Sequence, residues 1–262
     1  MQLLAATPDE AAARSALHAA EAIAADAHAQ RRIREIRQRW DQEPNAFQLV
    51  KKVTSVTARP GGADWAAAFD EAARISPEAA VALYSLGNLP LLAAATEELV
   101  AQLHAWDLLH AGFCVLDLGC GFGRVADAIA KEVRLVVALE VSRRMAELAR
   151  TTLGEHQNVL VIRSAGDDLS CLPDARFDVL LAIDSFPYLV DRGLAERHLA
   201  DAARVLQAGG ALLIMNYSYR GHLALDRADL GHFAAAYGFA VERNGTADLS
   251  LWDGRAFLLR RL

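Results

Sequence analysis

The chain has 262 residues, of which 53% are hydrophobic and 23% charged, and a formal net charge of −6 at pH 7. This composition provides enough apolar material for a core and excludes wholesale disorder. A nucleic-acid partner is not expected, because neutralising phosphates requires a basic face. A bound metal is not expected either, since the three cysteines and eight histidines show no spacing typical of metal ligands.

The start of the chain and its apolar runs predict the cellular setting. Residues 1–10 contain no basic region followed by an apolar block, and no apolar run reaches membrane-spanning length. Three widely spaced cysteines suit free thiols in a reducing compartment. We therefore expect a cytoplasmic protein without a membrane partner, and the sequence leaves open whether it forms a homodimer.

Residues 1–110 are predicted to form a helical N-terminal region. Thr7-Pro8-Asp9-Glu10 is typical of a helix start, with Thr7 as the N-cap and Pro8 as the first helical residue. Apolar residues then follow one helical stripe: Leu17, Ile23, Ile33, Ile36 and Trp40. Further helices are predicted near Trp65–Arg74, after Ser76-Pro77, and from Asn88 to about His110.

From Phe113 onward, short aliphatic runs alternate with helical patterns. The runs typical of strands are Val115–Leu118, Leu135–Leu139, Val159–Ile162, Val179–Ile183, Ala211–Met215, Phe239–Arg243 and Ala256–Arg260. The helical patterns are Arg124–Lys131, Arg143–Leu153, Leu194–Leu206 and Asp226–Tyr237. This alternation predicts an α/β domain over residues 111–262, with a mostly parallel sheet and helices on both faces.

A glycine loop follows the first predicted strand. In Asp117-Leu118-Gly119-Cys120-Gly121-Phe122-Gly123, a buried strand ends in an acid, turns through three alternate glycines and enters a helix. Glycines allow a tight turn against a ligand, and the helix N-terminus presents free N–H groups. Such a loop suits a nucleotide-like cofactor lying over the carboxyl ends of the strands.

Two cofactor classes compete for this loop. The dinucleotide fingerprint G-x-G-x-x-G has its third glycine one residue later, where this chain has Arg124. The charge of Asp117 is unfavourable beside a pyrophosphate but suits the ammonium and sulfonium groups of S-adenosylmethionine. The glycine spacing and the charge of Asp117 therefore both favour S-adenosylmethionine over NAD.

From about Phe113 to Leu262 the sequence resembles the class I S-adenosylmethionine-dependent methyltransferase family. The resemblance implies a Rossmann-like, seven-stranded, mostly parallel sheet whose last strand is antiparallel. It also implies cofactor contacts by two segments. In the glycine loop these are Asp117, Gly119, Cys120, Gly121 and Gly123. After the second strand, Ala138–Met145 is similar to the segment whose acid binds both ribose hydroxyls, so the contacts there are Glu140, Val141 and Met145.

The segment Ala165–Pro173 resembles the part of the family that contacts adenine. There an Asp side chain accepts from the exocyclic amine, and the next main-chain N–H meets a ring nitrogen. Alignment on Leu172-Pro173 assigns these roles to Asp168 and Leu169, whereas alignment on Gly166-Asp167 assigns the first to Asp167. We prefer Asp168 and keep Asp167 as the alternative.

Three residues after strand ends are candidate general bases for the acceptor: Asp184, Tyr188 and His222. Asp184-Ser185-Phe186-Pro187-Tyr188 is similar to the Asp-Pro-Pro-Tyr segment of methyltransferases that act on amino groups of nucleic-acid bases. Because Ser185-Phe186 breaks that pattern, we do not transfer its specificity. Tyr84 is a further candidate contact at the methionine end of the cofactor if residues 1–110 act as a lid, with core packing as the alternative.

The resemblance implies direct displacement, in which an acceptor O, N, S or C atom attacks the sulfonium methyl group and leaves S-adenosylhomocysteine. A small-molecule acceptor is expected, because a helical lid suits a compact substrate better than a duplex or a large protein. Two alternatives stay open: a noncatalytic protein that binds S-adenosylmethionine, and an NAD(P)-dependent oxidoreductase.

Overall fold

In the computed structural model, residue 7 and residues 9–24, 27–43, 45–57 and 64–262 are described. The chain divides into two compact units, one made of Met1–Arg59 with Glu71–Leu92 and the other of Pro60–Asp70 with Ala93–Leu262. The second unit therefore includes residues upstream of the expected boundary at 110. The role of residues 1–110 as a lid stays a prediction.

The first unit is helical. Its helices are α1 (Glu10–Ile23), α2 (Ala27–Gln42), α3 (Ala46–Thr57) and α5 (Pro77–Val81), followed by a 3₁₀ turn at Leu83–Ser85. Helices α4 (Trp65–Ile75) and α6 (Leu89–Ala105) are divided between the two units. Helix α3 is not among the elements that the sequence predicted.

The start of α1 differs from the prediction. Asp9 is the N-cap rather than Thr7, and its side chain accepts a hydrogen bond of 2.8 Å from the N–H of Ala12. Asp caps a helix as well as Thr does, so the two candidates could not be ranked from their residue types alone. Pro8 lies outside the described residues.

The apolar stripe predicted for the N-terminal helices is interrupted after α1. Ala24 leaves the helical conformation with ψ of 135°, and Ile23 is 83% exposed, so Ile23 does not belong to the buried stripe. Leu17 and Trp40 are buried in one core cluster, and Ile33 and Ile36 pack against it. The remaining stripe residues therefore pack across two helices rather than along one.

The second unit is built on a seven-stranded sheet with the order β3-β2-β1-β4-β5-β7-β6. The strands are β1 (Cys114–Leu118), β2 (Leu135–Glu140), β3 (Val159–Arg163), β4 (Phe177–Ile183), β5 (Leu206–Met215), β6 (Phe239–Thr246) and β7 (Ala256–Arg261). Strands β1 to β5 are parallel, and β7 is antiparallel to both of its neighbours. The predicted fold class is confirmed.

Five helices connect these strands: α7 (Arg124–Ile129), α8 (Arg143–Thr152), α9 (Phe186–Asp191), α10 (Ala195–Val205) and α11 (Leu223–Ala236). Right-handed crossovers in both directions from β1 place helices on both faces of the sheet. The short helix α9 was not predicted from the sequence. Within the described ranges, no helix is both long and apolar enough to cross a membrane.

The strand order places one group of acids and polar residues at a common edge. Strand β1 is buried along its whole length, because its residues are covered on both faces of the sheet. The order of the strands reverses between β1 and β4, and a crevice forms outside the carboxyl ends of the strands at such a point. Asp117, Glu140, Asp184 and Asn216 lie at or just beyond the carboxyl ends of β1, β2, β4 and β5.

Candidate functional site

The glycine loop joins β1 to α7 and requires glycine for its conformation. Gly119, Gly121 and Gly123 have φ of +78°, +58° and +93°. Other residues adopt this left-handed region at a cost of roughly 1–2 kcal/mol. A Cβ atom at Gly119 would also lie 2.5 Å from the Cβ of Ser185. The loop is therefore packed closely against the residues that follow β4.

Hydrogen bonds tie the glycine loop to the end of β2. The N–H groups of Gly119 and Cys120 both donate to the carbonyl of Leu139 at 2.9 Å, and the N–H of Gly121 donates to Glu140 Oε2 at 2.8 Å. Cys120 is buried, and burial raises the pKa of its thiol; its contact with the cofactor stays a prediction. The two predicted cofactor segments therefore form one hydrogen-bonded unit.

Asp117, the penultimate residue of β1, is 2% exposed. Among the described residues, its Oδ2 atom has no hydrogen-bond partner. Burial raises its pKa to about 7, Arg124 opposes that shift, and the charge of Glu140 adds to it. A buried carboxylate is costly unless it is paired. This position therefore fits a positively charged ligand group such as the ammonium of S-adenosylmethionine.

Glu140, the last residue of β2, is also buried, at 6% exposure. In addition to the bond from Gly121, its Oε1 accepts from the N–H groups of Val141 and Ser142 at 2.8 Å each. Burial raises its pKa, and these three donors act against that shift. A carboxylate has about four acceptor positions, so both ribose hydroxyls could bind only if one main-chain bond is released.

Two other predicted contacts lie next to Glu140. Val141 is half-buried, and a Cβ atom at Gly166 would lie 2.5 Å from its Cγ1, which brings the loop after β3 against the end of β2. Met145 is 1% exposed, and its N–H donates to the Oγ of Ser142, the N-cap of α8. Core packing and helix capping account for the position of Met145, and its contact with the cofactor stays a prediction.

The segment predicted to contact adenine is held by ion pairs. Asp167 pairs with Arg192 at 2.9 Å, and Asp168 pairs with Arg197 at 2.5 Å. Asp168 Oδ1 also accepts from the main-chain N–H and the hydroxyl of Ser170, which lowers the pKa of Asp168.

Leu169 already uses the N–H group that was predicted to meet adenine. That N–H donates to Asp201 Oδ2 at 2.9 Å, and the side chain is 1% exposed in the core. The predicted main-chain bond to adenine would therefore require a rearrangement. The roles of Asp167, Asp168 and Leu169 stay predictions.

Single substitutions should discriminate between the two candidate acids. Asp168→Ala should weaken S-adenosylhomocysteine binding by about 2- to 10-fold, the value of one net hydrogen bond of 0.5–1.5 kcal/mol. Asp167→Ala should leave the affinity within about twofold, because its side chain is 51% exposed and its ion pair lies near solvent. Calorimetric titration gives both values, with Asp174→Ala as a control for loss of an exposed acid. A larger loss at Asp167 than at Asp168 would reverse the assignment.

Asp184 is the residue immediately after β4, and its backbone is in the left-handed region at φ +62°. Its N–H donates to the carbonyl of Met215 at 3.1 Å. Its Oδ1 accepts from Asn216 Nδ2 at 3.0 Å and from the hydroxyl of Tyr219. Burial raises the pKa of this carboxyl, while the two donors act against the shift. The carboxylate is therefore held in one orientation by residues that follow β5.

A cluster of aromatic rings adjoins Asp184. The ring of Tyr188 makes edge-to-face contacts with Trp65 at 4.8 Å, Phe69 at 5.0 Å and Tyr219 at 5.8 Å between centroids. Burial raises the pKa of Tyr188 well above its usual value, and the charge of Asp184 adds to the shift. The phenol is therefore protonated at neutral pH, which argues against the predicted role of Tyr188 as a general base.

The other predicted candidates lie elsewhere. His222 is exposed at the N-cap of α11, and the described residues show no contact between it and Asp184 or Tyr188. Tyr84 lies in the 3₁₀ turn of the first unit, and its predicted contact with the cofactor stays a prediction. Within the described ranges, no group of three or more His, Cys, Asp or Glu side chains could hold a metal ion.

Four residues near Asp184 were not assigned a role from the sequence. Asn216 and Tyr219 directly follow β5, the neighbour of β4, so their position after adjacent parallel strands could have identified them. Trp65 and Phe69 come from α4, more than a hundred residues upstream of Tyr188. No local pattern could have linked them to this site.

Comparison with known proteins agrees with this topology and loop. Residues 115–210 match the methyltransferase domain family. Over this range the chain is similar to the class I S-adenosylmethionine-dependent methyltransferases. S-adenosylmethionine is the cofactor of this family, and the orphaned oxygen of Asp117 fits its ammonium group.

Two curated methyltransferases resemble this chain. The demethylmenaquinone methyltransferase of Tropheryma whipplei is 33% identical over 109 residues, covering 42% of this chain and 44% of that protein. The 27-O-demethylrifamycin SV methyltransferase of Amycolatopsis mediterranei is 34% identical over 127 residues, covering 47% and 45%. The chain thus matches less than half the length of either relative.

A solved structure shares the fold. The S-adenosylmethionine-dependent methyltransferase from Mesorhizobium loti superposes with a TM-score of 0.50 at 18% identity, covering 62% of this chain and 96% of that one. At this level of identity, the similarity concerns the fold of the methyltransferase domain alone.

Proposed function

We propose that this methyltransferase transfers the methyl group of S-adenosylmethionine to a small-molecule acceptor by direct displacement. The observation that carries the proposal is the buried Asp117 carboxylate, whose Oδ2 has no partner among the described residues and lies beside the glycine loop. A cationic methionine end would supply the missing charge there. The family resemblance of residues 115–210 supports the same assignment.

A small-molecule acceptor is favoured by two considerations. The two relatives are named for demethylmenaquinone and demethylrifamycin, both of them small molecules. The net charge of −6 is unfavourable for a polyanionic substrate. The charge is the consideration that points away from nucleic acid as the acceptor.

The chain's own residues would align the reactants and accept a proton from the acceptor. S-adenosylmethionine, when bound, supplies a methyl group already activated by its positive sulfur. Asp117 would hold the methionine end and Glu140 the ribose, so that the acceptor approaches from the side of Asp184. In well-oriented systems, alignment of this kind can lower the activation free energy by on the order of 7–11 kcal/mol. Asp184 would then receive a proton from the acceptor where one must be removed.

The NAD-dependent alternative is disfavoured by the charges at the loop. Asp117 and Glu140 are both buried next to the three glycines, where a dinucleotide would place its pyrophosphate. Two buried carboxylates beside a second pair of negative charges would oppose binding.

Calorimetric titration with S-adenosylhomocysteine and, separately, with NAD tests the proposal. We expect saturable binding of S-adenosylhomocysteine and none of NAD. Gly121→Val should abolish binding, because a β-branched residue at φ +58° distorts the loop and puts a side chain at the predicted methionine site. Gly193→Ala is a control at another left-handed glycine, where a Cβ meets nothing within 4 Å. Parental affinity in Gly121→Val would reject the loop assignment, and NAD binding would reject the proposal.

A further inference from the structure

The surroundings of Asp184 restrict the chemistry of the acceptor. Both hydrogen bonds to this carboxylate, from Asn216 and Tyr219, end on Oδ1. In the part of the chain that the structure describes, Oδ2 has no hydrogen-bond partner. The second oxygen is thus the one that can accept from a bound molecule.

The orientation of this oxygen is built into the backbone. Asp184 and Asn216 both have left-handed backbones, at φ +62° and +63°, although neither is glycine. Asn216 is fixed in turn, since its N–H donates to the carbonyl of Arg255 at 2.8 Å and its Oδ1 accepts from the N–H of Arg255 at 2.9 Å. Asp and Asn adopt this region more readily than other non-glycine residues, so the residue types suit the backbone at both positions.

The charges around Asp184 favour a positive or neutral partner. Asp253 raises the pKa of Asp184 by its negative charge, and Arg124 acts in the opposite direction. Arg124 also donates from Nη1 to the hydroxyl of Thr96 at 2.8 Å, so part of its guanidinium is engaged. At the unbonded oxygen itself the charge is that of Asp184, so an ammonium group would be attracted to it and an anionic group repelled.

Aromatic side chains lie beside the same carboxylate. Tyr219 is 44% exposed as a residue, while its hydroxyl is bonded to Asp184. Behind it, the ring of Tyr188 contacts Trp65 and Phe69. Exposed aromatic faces attract cations and apolar groups alike, by about 0.5–1 kcal/mol for an exposed cation–π contact.

We propose that the acceptor of this methyltransferase is an amine, whose nitrogen binds Asp184 Oδ2 and whose apolar part lies against the rings of Tyr219 and Tyr188. This inference rests on the proposed methyl transfer. The bound ammonium first gives a proton to Asp184 Oδ2. The lone pair of the resulting amine forms the N–C bond as the methyl C–S bond breaks, and the electrons of that bond leave on sulfur. The product leaves as the methylated ammonium, and Asp184 Oδ2 passes its proton to water.

A matched set of three probes tests the choice of acceptor: 2-phenylethylamine, 2-phenylethanol and phenylacetate. Each is titrated calorimetrically at pH 8 into protein saturated with S-adenosylhomocysteine. We expect the amine to bind at least about tenfold more tightly than the alcohol, which is the value of a charge-assisted hydrogen bond, and phenylacetate to bind least. With S-adenosylmethionine, mass spectrometry should detect the N-methylated amine.

Asp184→Asn shows whether the preference arises at this carboxylate. Asn adopts the left-handed region more readily than other non-glycine residues, so the backbone at φ +62° should be retained. The variant should lose the preference for the amine and keep its affinity for the alcohol within about twofold. Asp191→Asn, at an exposed acid on α9, should behave as the parent protein does.

The failures of the two proposals are distinguishable. Protein that does not bind S-adenosylhomocysteine contradicts the proposed function. Protein that binds it but fails to bind the amine, or prefers phenylacetate, contradicts the amine acceptor alone. An amine preference that survives in Asp184→Asn also overturns the inference.

Discussion

Asp117→Asn should remove most of the affinity for S-adenosylhomocysteine and, at the same time, stabilise the ligand-free protein above pH 7. The carboxylate is buried, its Oδ2 has no hydrogen-bond partner in the described ranges, and burial raises its pKa to about 7. Removing one partner of a buried charge pair typically costs about 3–5 kcal/mol, so affinity should fall by at least a hundredfold. The amide keeps the shape of the side chain but carries no charge.

The stability effect has the opposite sign to the effect on binding. The pKa of Asp117 is higher in the folded protein than its ordinary value of 3.8. The stability that the protonated Asp117 contributes to the fold is therefore fully present below pH 3.8. It is lost as the pH rises through about 7, because the buried carboxyl then ionises. At about 1.4 kcal/mol per pKa unit, the ionised group destabilises the ligand-free fold at pH 8 by up to about 4 kcal/mol. Asp117→Asn should relieve that cost.

Binding should show a matching pH dependence. In the parent protein, affinity should fall about tenfold between pH 8 and pH 6 as Asp117 takes up a proton, whereas the affinity of Asp117→Asn should stay flat. Calorimetry at several pH values and thermal unfolding without ligand measure both effects. Asp127→Asn, at an exposed acid on α7, is the control. Unchanged affinity in Asp117→Asn would remove this residue from the cofactor site.

Asp184→Asn should lower turnover by about 10²–10⁴-fold while leaving S-adenosylhomocysteine affinity within about twofold. That range is the usual contribution of a positioned general base. The expectation follows from the two hydrogen bonds to Oδ1, since Oδ2 has no hydrogen-bond partner among the described residues. Initial rates with the amine probe and calorimetry on the same preparations separate the effect on chemistry from the effect on the cofactor.

The other two candidate bases provide the comparison. Tyr188→Phe should lose less than about tenfold, because the raised pKa of Tyr188 keeps the phenol protonated and its ring contacts remain in the variant. His222→Ala should also lose less than tenfold, because this residue is exposed at the start of α11. Losses below tenfold at all three positions would show that the site works by alignment of the reactants alone.

The amino-acid sequence by itself determined the domain type and the conformation of the glycine loop. The alternation of aliphatic runs and helical patterns after Phe113 predicted all seven strands, because each run is a local property of a few adjacent residues. The spacing of Gly119, Gly121 and Gly123 could be interpreted for the same reason. The structure has a left-handed backbone at all three positions, which glycine adopts without steric cost.

Only the tertiary structure decided how the site is assembled. The bond from Gly121 to Glu140 joins two segments 19 residues apart, and the ring contacts of Tyr188 bring together α4, α9 and the loop after β5. Such contacts depend on how strands are ordered and how helices pack, and the residues adjacent in sequence do not predict either. Sequence patterns act over a few adjacent positions. The end of a predicted strand could therefore identify Asp184 as a candidate, but no local pattern could identify Tyr219 as its hydrogen-bond partner.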